Sequence, residues 1–213
     1  MKRYYPSALV SFRSRKDFHY SWNQFDGNLS ATVSDYLCGA SDEVLYDFGE
    51  FLGKTVFIGH KIPFPESFVN YIEDANFINR KRPLFLKRSR NLSMSVNGKY
   101  RNIEDSVNRL FHSGLIGEYD IRDAYFSWCV KPTYCRLGSC YTMFKTVGIS
   151  PILDNPDVPE YVFDFVVYHE CLHLHQGIRW GQRVHDAEFH KWEKEYPCYK
   201  EAHDFFPGLK DMV

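Results

Sequence analysis

The stretch His169-Glu170-Cys171-Leu172-His173 carries the residue types and spacing in this sequence that could do chemistry. Two histidines four residues apart stand one helical turn from each other on the same face, so both imidazoles can reach one ion. For zinc the required reach is roughly 2.0–2.1 Å from each nitrogen. Glu170 follows the first histidine, where a carboxylate can take the proton of an attacking water. The pattern therefore predicts zinc-dependent hydrolysis, with peptide bonds as the expected target.

A catalytic zinc site needs a third protein ligand and one open position. The downstream candidates are His175, His185, Glu188, His190 and His203. His175 lies two residues past His173 and so points to another side of the helix. His190 and His203 sit deeper in the C-terminal helices. His185 stands at a helix start, after a short loop through Gly181, where it can swing back to the motif. It is the preferred third ligand, with Glu188, one turn further on, as the alternative. Arg183 and Tyr141 are weaker candidates for stabilising an oxyanion. Cys171 reads as a packing residue inside the motif.

These side chains must be held by helices. Pro159 suits a first helical turn, with Asp157 or Val158 as the cap. The helix carries Val162, Phe165, Val166, the motif and Leu174, and ends near Gly177. His185 to Phe189 begins another helix that Pro197 closes, and Tyr199 to Phe206 forms a last helical piece. Ahead of the motif, Tyr125 to Val130 and Tyr141 to Val147 read as strands.

Further upstream, Ala8–Phe12, Phe18–Trp22 and Leu29–Val33 predict a small sheet, with Asp26-Gly27 as a turn. Ser41 caps a helix that places Val44, Leu45, Phe48, Phe51 and Leu52 on one face and stops at Gly53. Pro65-Glu66-Ser67 opens a second helix running through Phe68, Val69, Ile72 and Phe77. Ile103-Glu104-Asp105 opens a third, which ends at Gly114. Between them, residues 79–102 are basic and carry no Asp or Glu. The expected organisation is a strand/helix module over 1–79, a basic connector over 80–102 and a catalytic domain over 103–213.

Hydrophobic residues make up 44 % of the 213, enough for a sizeable core, and the formal net charge of −1 argues against a polyanion binder as a whole. Nucleic acid is left only the local patch at 80–101, for which a solvated connector is the preferred reading. The six cysteines form no C-x-x-C pair and read as reduced thiols. Residues Met1 to Pro6 lack the apolar core of a signal peptide, and no apolar run approaches the roughly 20 residues that span a bilayer. A soluble cytoplasmic protein with no membrane partner is expected.

The motif with His185-Asp186-Ala187-Glu188-Phe189 behind it resembles the SprT-like (and YgjP-like) zinc metallopeptidase family. Trp192, Tyr196 and Pro197 fit that family's aromatic tail, and Leu137 to Tyr141, Ile149-Ser150, Leu153-Asp154 and Val158 to Glu160 are similar to its approach to the motif helix. The likeness runs from about residue 124 to 206, with a weaker one over 26–57. It implies His169, His173 and His185 as zinc ligands and Glu170 as general base. It also implies an α+β zincin-like fold, an antiparallel-edged sheet packed on the motif helix, and an edge strand over Ser139–Val147 along the cleft. A peptide or unfolded protein would be the substrate. The sequence shows no cysteine zinc ribbon or DNA-binding appendix of the kind some members carry, which argues against action on DNA–protein crosslinks. The rival expectation is a zinc-bearing module that binds protein or nucleic acid with little or no turnover.

Overall fold

In the computed structural model, which describes residues 5, 7–60, 62–180 and 182–212, the chain divides into two compact units, Met1–Arg88 and Ser89–Val213. Each combines helices with a three-stranded sheet, so the α+β class holds. Among the described residues, no helix is long and apolar enough to cross a membrane.

In the first unit, β1 (Ser7–Arg13), β2 (Tyr20–Phe25) and β3 (Asn28–Ser34) form a sheet in the order β1-β3-β2. Asp26 and Gly27, with φ of 49° and 72°, make the two-residue reversal that joins β2 to β3 antiparallel. Leu29, Ala31 and Val33 alternate along β3 and are buried. Ser41 caps α1 (Asp42–Ile58) by accepting from Val44 N at 3.4 Å. The helix runs past Gly53, where the sequence predicts its end, because Gly53 is packed inside it; Gly59, at φ 77°, supplies the left-handed stop. The expected second helix is two: α2 (Glu66–Glu73) breaks at Asp74, which caps α3 (Ala75–Arg88) by accepting from Asn76 N at 2.7 Å. Phe77 thus belongs to α3.

The basic stretch at 80–102 is divided rather than being a segment of its own. Its first half continues α3, which buries Phe77, Ile78 and Phe85. Arg88 binds Asp35 through two hydrogen bonds of 2.8 and 2.5 Å, and Lys81 donates to the Cys38 carbonyl at 2.6 Å. The second half runs beside β4 (Tyr125–Trp128): Ser93 N donates to Trp128 O and Trp128 N to Ser95 O, both at 2.8 Å. Unpaired strand backbone recruits these residues, whatever their charge.

The second unit pairs β4, β5 (Gly138–Tyr141) and β6 (Thr146–Ile149) in the order β4-β6-β5, with β4 parallel and β5 antiparallel to β6. The span Ser139–Val147, expected as one edge strand, is therefore an edge strand and part of a central one. Thr142–Phe144 form a 3-10 turn that buries Met143 and Phe144, and Lys145, at φ 43°, reverses the chain.

At the centre lies α6 (Glu160–Gln176), packed by α4 (Ile103–His112), α5 (Glu118–Ile121), α7 (Ala187–Glu193), α8 (Tyr199–Phe205), β5 and β6. Ten of its residues, from Val162 to Leu172, are buried on every side, as expected of a core helix. Pro159 stands at its N-cap without a side-chain cap, in place of Asp157 or Val158. Arg109 of α4 grips the buried Asp164 of α6 with two hydrogen bonds, Nε to Oδ2 at 2.8 Å and Nη2 to Oδ1 at 2.6 Å. Arg109→Ala strands that carboxylate and should cost about 2–3 kcal/mol, read as a lower urea midpoint. Arg109→Lys, which cannot form the fork, should recover only part of the loss.

Candidate metal centre

His169 and His173 project from one face of α6, and His185 stands two residues before α7. Each of the three offers a ring nitrogen, and these nitrogens all lie within 4.8 Å of one another. The His173 and His185 Nε2 atoms are 3.1 Å apart. Two imidazoles bound tetrahedrally at roughly 2.05 Å would hold their nitrogens about 3.3 Å apart. The cluster thus has the dimensions of a metal site before any ion enters.

Phe189 decides how the rings are packed. It is fully buried, stacks on His173 at 4.6 Å between centroids, and meets His185 and His169 edge-on at 4.8 and 5.1 Å. The ring is an apolar floor that fills the space behind all three imidazoles. Burial, with the neighbouring imidazoles adding to it, takes His173 down to about 3, and burial also lowers His185 below its ordinary value. Both are neutral at neutral pH, with a lone pair available to a cation.

Glu193 orients His169. Its Oε1 accepts from His169 Nδ1 at 2.8 Å, which leaves His169 Nε2 for the ion. Its Oε2 is 3.2 Å from His190 Nδ1. Burial alone would push this carboxyl up, but the two histidine hydrogen bonds outweigh it and hold Glu193 at about 2. Nothing in the sequence singles out Glu193, because Glu188, Glu193 and Glu195 are alike in type. Only folding separates them, burying Glu193 and leaving the other two exposed.

The loop ahead of α7 holds His185 in place through Asp186. That carboxylate caps α7, accepting from Phe189 N at 2.9 Å, and meets Arg179 Nη2 at 3.5 Å. Gly181, in the same loop, lies outside the described residues. His175 and His203 have partners outside the cluster. His175 bonds Asp120 at 2.7 Å and packs on Trp192, while His203 packs among Phe165, Tyr199 and Phe206. Glu188, the alternative third ligand, is exposed outside the cluster.

Glu170 is buried, and burial raises its carboxyl to about 7 against the lowering effect of His169 and Arg136. It lies against β5, where a Cβ placed on Gly138 would be 2.3 Å from Oε1. β5 is an edge strand of its sheet, and among the described residues no strand pairs with its outer side. Tyr125 N and Cys129 N bond to the Lys145 and Ile149 carbonyls, so the odd residues of β6 face β4. Ser150 N donates to Leu137 O, so the even ones face β5. By alternation the backbone N–H and C=O of Gly138 and Cys140 point away from β6. Tyr141 projects from the opposite face of β5 to Cys140, and Arg183 is exposed on the loop. Cys171 is buried, and burial raises its thiol well above the ordinary value, so it stays protonated.

Two measurements test this arrangement. His185→Ala should weaken binding of a divalent ion far more than Glu188→Ala, in competition with a chromophoric chelator. Glu193→Gln should weaken it about 10–100-fold, as loss of an outer carboxylate does elsewhere. Equal affinities across the series would mean that these groups do not form the site.

No protein-family model, no curated protein and no solved structure matches this chain.

Proposed function

We propose that the C-terminal unit is a zinc-dependent peptidase of the SprT-like kind, with a zincin-like fold. His169, His173 and His185 hold the metal and Glu170 is the general base. One observation carries the reading: a buried carboxylate, next in sequence to a member of a three-histidine cluster, lies against an edge strand. Three imidazoles suit zinc, and three protein ligands leave it a position for substrate chemistry.

Bound zinc supplies Lewis acidity toward water and the scissile carbonyl. The chain's own residues do the rest. The outward N–H and C=O groups of Gly138 and Cys140 can pair with an extended peptide, adding it as a further strand. Such pairing reads backbone rather than side chains, which fits an unfolded segment as substrate. Glu170, with an affinity for protons near neutrality, takes one from the attacking water as oxygen bonds to the carbonyl carbon. It returns that proton to the amide nitrogen as the C–N bond breaks, leaving a carboxylate and an amine. Glu193 keeps His169 turned toward the site throughout.

Incubation with dye-labelled unfolded proteins tests the reading. Cleavage should require zinc, stop with 1,10-phenanthroline and return on adding zinc back. Glu170→Gln should keep its metal and lose at least about 100-fold in rate. Zinc-dependent binding of the same proteins with no cleavage would favour a recognition module and sink the peptidase. Full activity in Glu170→Gln would remove the general-base role alone.

A further inference from the structure

We propose that Gly138 is a positioning residue for Glu170: its missing side chain makes the space in which the carboxylate rests against the strand edge. The inference rests on the general-base reading of Glu170 and adds a residue that this reading does not require.

The backbone gives no reason for glycine here. The φ of Gly138 lies outside the left-handed region, unlike those of Gly27, Gly59 and Gly177. The reason is space. A Cβ on Gly138 would lie 2.3 Å from Glu170 Oε1, 2.6 Å from Cγ and 2.7 Å from Cδ. Carbon and oxygen in ordinary contact stay more than about 3 Å apart, so an added methyl and this carboxylate cannot share the site. The nearest obstruction is one side chain, not backbone, so the strand can keep its course if Glu170 moves.

Glu170 cannot move without consequence. It is buried, and its backbone is set in the core helix between His169 and Cys171. Only its χ angles can yield, and a shift of about 1 Å takes a general base out of reach of its proton. The histidine ligands do not appear among the nearest obstructions, so the metal cluster is expected to survive the change.

The test is a double-mutant cycle on Gly138→Ala and Glu170→Ala, read in two ways. In metal-free protein, Gly138→Ala should lower Tm by about 3 °C or more. In the Glu170→Ala background the same change should leave Tm within about 1 °C, because the colliding atoms are gone. If Gly138→Ala does not fold at all, the double variant should fold. In zinc-loaded protein, Gly138→Ala should lower kcat about 10–100-fold, with KM and zinc affinity within about threefold of wild type. In a Glu170→Gln background it should change the residual rate by less than about threefold.

Additive Tm losses, a double variant that does not fold, or a Gly138→Ala protein equal to wild type in Tm and kcat would each overturn the proposal. A wild-type protein that cleaves nothing would fail the peptidase reading. The metal-free cycle would still decide whether Gly138 makes room for Glu170.

Discussion

The site depends on the burial of one phenyl ring beneath three converging imidazoles. Phe189 packs beneath His169, His173 and His185 at centroid distances of 4.6–5.1 Å, filling space that water would otherwise occupy. Desolvation disfavours the imidazolium of His173 and of His185, and neighbouring imidazoles disfavour it further. Rings that converge in this way could hold a metal ion. The same burial acts oppositely on Glu170, raising its proton affinity, while hydrogen bonds from two histidines keep Glu193 ionised. Two carboxyls on adjacent helices are thus separated in character by their surroundings, as an acid/base site requires.

The rest of the second unit serves that burial. Ridding α6 of solvent on every side demands layers around it, and the sheet and the α4, α5, α7 and α8 helices provide them. Two polar side chains of this helix have specific partners. Asp164 meets Arg109, and Tyr168 donates to the Trp192 carbonyl at 2.7 Å, tying the motif helix to the helix that carries Glu193. Asp186 caps that same helix and places His185 at its entrance. Ligand geometry is therefore inherited from helix packing rather than from the loop alone.

Much of the local structure follows from short-range rules visible in the chain. The Asp26-Gly27 reversal, the Ser41 cap and the Gly177 stop obey turn and capping chemistry that acts over a few residues. Readings that depend on distant partners fare differently. Gly53 looks like a stop but is absorbed by packing, and the 139–147 span looks like one strand until Met143 and Phe144 turn into the core. The basic run at 80–102 looks like a connector, because charge is conspicuous in a sequence and backbone pairing is not. Its first half belongs to one unit through apolar burial, and its second half to the other through strand hydrogen bonds.

By itself the sequence determines that His169, Glu170 and His173 share a helix, because a four-residue spacing and apolar flanks suffice for that. It ranks His185 above Glu188 on the position of a loop, without any distance. Tertiary structure alone decides that the third imidazole comes within 3.1 Å of the second, that Glu193 among several acids turns to His169, and that Gly138 lies under Glu170. Those contacts join residues 12 to 32 positions apart in the chain. No local periodicity encodes them. They arise from the close packing of one buried helix against a strand edge and a second helix.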